Sequence, residues 1–148
     1  MKITSFIAAA AFLAVTAGCS TTQGSSAVST TSAPAALGPY SQAIRSGNML
    51  FLSGQIPLDP ATGQISGSTV DEQTKRVMDN LAAVLAANDM TMANIVSTTV
   101  YVRDLNDFAA MNKVYGTYFT SNPPARATVQ AARLPKDVTV EISAIATK

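Results

Sequence analysis

The stretch P-P-A-R-A-T-V-Q-A-A-R-L-P, from Pro123 to Pro135, decides how this chain is read. Prolines fix φ and disfavour helix before them, so the residues that follow enter as an extended segment with a defined direction. From Arg126 the side chains alternate. Arg126, Thr128 and Gln130 fall on one face and Ala127, Val129 and Ala131 on the other, the period-2 pattern of a strand with one polar face. The run Val138 to Ala146 alternates as well, setting Val138, Val140, Ile142 and Ala144 against Thr139, Glu141, Ser143 and Ile145. The short A-R-L-P-K-D connection predicts an antiparallel hairpin turning between Leu134 and Pro135, with Thr128 opposite Glu141. Opposed Cβ atoms lie about 4.5 to 5.5 Å apart, so Arg126, Thr128 and Glu141 would converge on one small ligand. A slip of one residue would separate them.

Composition narrows the chemistry. A chain of 148 residues suits one domain plus an extension. The net charge is +1 with no Lys/Arg run, so the charge pattern calls for neither nucleic acid nor an anionic membrane surface. The absence of histidine and the single cysteine exclude Ser-His-Asp and Cys-His nucleophile systems and any Cys/His metal set. Neither G-x-G-x-x-G nor G-x-x-x-x-G-K-[ST] occurs, so no nucleotide cofactor is expected. Catalysis would fall to Arg, Glu, Asp, Tyr, hydroxyl, Asn and backbone groups, which suits binding and polarising a small substrate.

At the N-terminus, Lys2 precedes an uncharged run from Ile3 to Gly18, the pattern of a secretory signal over residues 1–18. V-T-A-G-C at Val15 to Cys19 is similar to a bacterial lipobox, with Cys19 the lipidated new N-terminus. Thr16 departs from the aliphatic residue usual there, so cleavage after Ala17 is the alternative. Ser20, and not Asp, after the cysteine resembles lipoproteins passed to the outer membrane. The chain is thus expected to be exported to the periplasmic side, on a lipid anchor. Residues 19–32 read as a Ser/Thr-rich tether of ~20 Å reach. A folded domain then spans residues 33–148.

Within that domain, R-S-G-N at Arg45 to Asn48 is the turn of a first hairpin. Thr69 and Glu72 form a capping box ahead of a helix striped by Val77, Leu81, Val84 and Leu85, and Asn88 suits its left-handed end. Ile95 to Val102 reads as a central strand. Asn106 is expected to cap a second helix burying Phe108, Met111, Tyr115 and Tyr118 or Phe119. The order is ββαβαββ, an α+β two-layer domain with two helices on one face of a mixed sheet of four to six strands. The other face still carries Val, Ile and Ala, and self-association would cover it.

The chain from Ala33 onward resembles the RidA/YjgF family of reactive-intermediate deaminases. The matching stretches are A-P-A-A-L-G-P-Y-S-Q-A (Ala33 to Ala43), G-N-M-L-F-L-S-G-Q-I-P (Gly47 to Pro57), D-L-N-D-F (Asp104 to Phe108), P-P-A-R, and A-R-L-P-K-D. The resemblance implies a chorismate-mutase-like fold, a homotrimer with ligand clefts between subunits, and cofactor-free hydrolysis of 2-imino or 2-enamino acids to 2-oxo acids and ammonia. It implies that Arg126 binds the substrate carboxylate and that Glu141 positions the attacking water. Thr128 stands where relatives often carry cysteine, so no thiol is required here. Tyr40 would close over the ligand, and Asn112 would line the cleft of a neighbouring subunit. Ser53 and Gly54 end a strand where a missing Cβ lets backbone N–H groups approach a ligand. Plainer readings stand beside these: Arg126 as a surface strand residue, Glu141 as an ion-pair partner of Arg126 or Arg133, Tyr40 as packing, Ser53-Gly54 as a bulge, and Asn112 as helix surface. Because imine intermediates arise mainly on cytoplasmic enzymes and this chain reads as exported, a non-catalytic carboxylate- or protein-binding module is the alternative function.

Overall fold

In the computed structural model, which describes residues 24–148, the chain runs β1 (Ser26–Val28), β2 (Ala43–Ser46), β3 (Met49–Gln55), α1 (Val70–Ala86), β4 (Ile95–Val102), α2 (Phe108–Gly116), β5 (Ala125–Gln130) and β6 (Val140–Thr147). The expected signal segment and Cys19 lie outside the described residues. The strands form one mixed sheet in the order β1-β2-β3-β6-β4-β5. Ser46 pairs with Met49, leaving Gly47 and Asn48 as a two-residue hairpin loop, and Gly47 takes the positive φ of 60° that such a loop requires.

The capping box forms as read. Thr69 Oγ1 accepts from the Glu72 N–H at 3.3 Å, and the Glu72 carboxylate accepts from the N–H groups of Thr69 and Ser68 at 3.2 and 2.8 Å. The stripe Val77, Leu81, Val84 and Leu85 is fully buried, in one core with Met111 and Tyr115 of α2 and Val100 and Ile142 of the sheet. Both helices therefore cover the same sheet face. Two terminal details differ from expectation. Asp89, one residue beyond Asn88, takes the left-handed conformation at φ 54°, because Asn88 is drawn into the interior. A 3-10 turn over Leu105–Asp107 precedes α2 and takes Asn106 into it; Asp104 caps that turn, its carboxylate accepting the Asn106 N–H at 2.9 Å, while α2 begins after Asp107 without a side-chain cap.

The expected β5–β6 hairpin does not form. β5 lies parallel to β4, with Thr128 beside Val100, and β6 inserts antiparallel between β3 and β4, with Glu141 beside Tyr101. The connection crosses the end of β4 through a 3-10 turn at Pro135–Asp137, where Lys136 and Asp137 both take positive φ (56° and 58°). An alternating run identifies a strand and its buried face but is silent about which strands flank it. β6, buried at every second residue, takes partners on both edges, and α2 supplies the crossover that a parallel β4–β5 pair needs.

Order also begins before Ala33. Ser26–Val28 pairs with β2 as an edge strand. The Gln42 side chain then fastens the segment that follows, accepting the Thr30 N–H at 2.6 Å and donating to the Ala33 and Pro34 carbonyls at 3.2 and 2.7 Å. The tether assigned to residues 19–32 therefore gives way to structured chain by Ser26. The sheet face away from the helices is uncovered among the described residues. It presents Ile44, Phe51 and Val129 at 36, 41 and 45% exposure.

Candidate functional site

Glu141 points away from the helices, since its neighbours Val140 and Ile142 are fully buried in the core. The register of β3 against β6 shifts between Leu52 and Gln55, and this bulge sets Gly54 under the Glu141 carboxylate. A Cβ on Gly54 would overlap Glu141 Oε1 and lie 3.0 Å from Cδ, so the carboxylate occupies the space a side chain would fill. Burial pushes the Glu141 pKa up, and none of the salt bridges among the described residues involves it. Arg133, one of its candidate partners, is instead bound bidentately by Asp137 at 2.6 and 2.9 Å.

Around this carboxylate lies a cleft of about 430 Å³ that also takes in Tyr40, Ser53 and Gly54, with Leu37, Ile56 and Pro135 as apolar walls and Lys136 at its rim. Each wall is tied to the scaffold. Asn80 of α1 donates to the Ile56 and Leu58 carbonyls at 3.3 and 3.0 Å, fixing the chain beyond Gly54. Ser53 Oγ donates to the Ser41 carbonyl at 2.7 Å and the Ser53 N–H to the Gln42 carbonyl at 3.0 Å, holding the Gly38-to-Gln42 turn against β3. The Ser53 hydroxyl proton is thus committed to the scaffold, leaving its oxygen able only to accept. Tyr40 is 51% exposed, a rim residue and not a core one, and its hydroxyl accepts the Leu37 N–H at 3.1 Å.

Arg126, Thr128 and Asn112 belong to a different place. Across the sheet Arg126 pairs with Thr98 and Thr98 with Ala144, so these three share the helix-covered face. Glu141 lies three residues from Ala144 on an unbroken strand and so faces the opposite way. Two strand spacings across and three residues along put the backbones of Arg126 and Glu141 roughly 10 Å apart in each direction. The convergence expected of Arg126, Thr128 and Glu141 on one face is thereby overturned, together with the Arg126–Glu141 ion pair.

What surrounds Arg126 is aromatic. Its Cζ lies 4.6 Å from the centroid of Tyr115 and 5.6 Å from that of Phe108. Asn112, exposed on α2, stands four residues after Phe108 and three before Tyr115, on the same stripe as both. Thr128 Oγ1 is buried and has no hydrogen-bond partner among the described residues. Sequence reasoning treated Phe108 and Tyr115 only as core. The available signal was their spacing, which brackets Asn112 on one helical stripe ahead of the strand arginine.

The chain therefore carries two separate groups of candidate residues on opposite faces of the sheet. One offers a part-buried carboxylate of raised pKa in a cleft, able to orient water and take a proton. The other offers a guanidinium suited to hold a carboxylate.

The family model described as Endoribonuclease L-PSP matches residues 30–148. The chain is 50% identical over 119 residues to a RutC family protein of Pyrococcus horikoshii, covering 80% of this chain and 94% of that protein. It is 46% identical over 127 residues to the 2-iminobutanoate/2-iminopropanoate deaminase of Escherichia coli K12, covering 84% of this chain and 98% of that enzyme. The solved structure of E. coli TdcF with bound serine superposes with a TM-score of 0.80 at 43% identity, covering 83% of this chain and 98% of that one. The two-layer α+β architecture is shared with such structures.

Proposed function

The chain belongs to the RidA/YjgF family, and from that premise we propose that it hydrolyses 2-imino and 2-enamino acids to 2-oxo acids and ammonia. The observation that carries this reading is the Glu141 carboxylate, held over Gly54 in the cleft without an ion-pair partner among the described residues and with its pKa raised by burial. In the proposed reaction Arg126 holds the substrate carboxylate. Glu141 orients a water and takes its proton as oxygen adds to the C=N carbon. The proton is returned to nitrogen to give a carbinolamine; Glu141 then takes the proton of its new hydroxyl and passes it to the amine, so that the C–N bond breaks as the C=O bond forms and ammonia leaves with the 2-oxo acid. The imine is already electrophilic, so orientation and one carboxylate that carries a proton twice suffice. The bound serine of TdcF, an amino acid with its own carboxylate, accords with a ligand of this class.

Because Arg126 and Glu141 occupy opposite sheet faces, the same reading requires subunits to meet. A homotrimer in which one subunit's Arg126, Thr128 and Asn112 close the Glu141 cleft of the next would also cover Phe51 and Val129. A net charge of +1 and the absence of histidine give phosphodiester cleavage no support. Residues 1–18 are taken as an export signal and Cys19 as a lipid anchor on the periplasmic side; an unmodified Gly18 at the mature N-terminus by mass spectrometry would refute the anchor.

The test is ammonia release from freshly generated 2-iminopropanoate by the purified protein, with Arg126→Ala as control. The reading predicts acceleration by the wild type and its loss in the variant. Saturable binding of 2-oxo acids without ammonia release would support a binding module in its place.

A further inference from the structure

An arginine meant to receive a carboxylate must be held without one, or its side-chain entropy opposes every binding event. Most structural arginines are held by an acid. None of the salt bridges among the described residues involves Arg126, yet it is part-buried on an edge strand. Its guanidinium carbon lies over both the Tyr115 and the Phe108 rings, 4.6 and 5.6 Å from their centroids. A guanidinium held over a ring by cation–π attraction is positioned without an acid on its N–H donors, which stay available for a bidentate contact.

The Tyr115 ring is itself locked. It is 4% exposed, its hydroxyl is 2.8 Å from Thr98 Oγ1, and the Phe119 ring lies against it at 4.8 Å between centroids. Thr98 is the residue that pairs with Arg126 across β4 and β5. The arginine's backbone and the ring beneath its side chain are thus referenced to the same residue, one through the strand register and the other through a buried hydrogen bond.

Building on the proposed deaminase reading, we infer that Tyr115, anchored by Thr98, is a positioning residue that holds the Arg126 guanidinium in its carboxylate-receiving orientation before substrate arrives. The ring does this and the hydroxyl only steadies the ring. Tyr115 acts on substrate affinity through Arg126 and takes no part in proton transfer.

The experiment uses the full-length protein and pyruvate as a stable 2-oxo acid probe, with Kd from calorimetry and KM and kcat from ammonia release. Tyr115→Leu should raise the pyruvate Kd and the imine KM by about 10-fold with kcat changed by less than about 2-fold. Tyr115→Phe, which keeps the ring, should restore both constants to within about 2-fold of wild type. Should Tyr115→Leu fail to fold, Phe108→Leu at a 39% exposed position removes the outer ring alone, and a rise of about 3-fold in Kd is expected. Equal effects of Tyr115→Leu and Tyr115→Phe would overturn the inference, as would an unchanged Kd in Tyr115→Leu or Phe108→Leu while Arg126→Ala weakens binding. If Arg126→Ala leaves pyruvate binding intact, the assignment of the arginine fails first, and the positioning role of Tyr115 with it.

Discussion

Glu141 is neutral more readily than an ordinary carboxylate because burial on β6 withholds water from its charged form. Its activity and its stability contribution therefore run in opposite directions with pH. As a base it must be ionised, so kcat/KM should rise through an acid limb lying above the usual glutamate pKa of about 4.3, and Glu141→Gln should abolish the activity. For stability, a folded-state pKa above the unfolded one means that the unfolded chain loses its proton first as pH rises. Relative stability is then greatest below the unfolded pKa and falls as pH rises through the folded pKa. Glu141→Gln should consequently match or exceed wild-type Tm at pH 7, with the difference closing near pH 4; a variant less stable at pH 7 would show that the carboxylate is structural. Gly54 tests the same geometry from beneath. Gly54→Ala displaces the carboxylate by steric overlap and should lower kcat/KM by about 100-fold while the protein still folds, since the displaced group is the end of a flexible side chain. An unaltered rate would remove Gly54 and Glu141 from the chemistry.

At the scale of elements, α1 braces the cleft as well as the core: Asn80 holds the Ile56–Leu58 wall, and Gln73 accepts the Thr139 N–H at 2.8 Å just before β6. Its start depends on the capping box, so Thr69→Ala should cost about 1 kcal/mol, or roughly 4 °C in Tm, with KM unchanged. A loss confined to activity would contradict that role. Caps, turns and periodicity are local, and for this reason β2, β3, α1 and the inward faces of β4 and β6 were legible in the sequence. Pairing is not local. The runs after Arg126 and after Thr139 carry the same alternation whether they form a hairpin or flank β4, and the left-handed pair Lys136-Asp137 that carries the chain across shows only in the structure. That single error of pairing brought Arg126 and Glu141 onto one face. The residues of the site were nameable from their motifs, while their division into two half-sites depended on a register that no motif encodes.

The proposed reaction is incomplete on one chain, because its two groups lie on opposite faces of the sheet. A sheet with an exposed apolar face and two half-sites on opposite sides calls for a neighbour, and a closed cyclic assembly lets each subunit give its Arg126 half to one neighbour and its Glu141 half to another. If that is so, neither residue need be intact in every subunit. The most direct measurement is therefore complementation: Arg126→Ala and Glu141→Gln, each inactive alone, are co-refolded in equal amounts and assayed for ammonia release from 2-iminopropanoate. Random mixing gives each interface an intact arginine and an intact glutamate about a quarter of the time, so the mixture should recover about a quarter of wild-type activity. A mixed assembly that forms and stays as inactive as its parents would contradict a site shared between subunits.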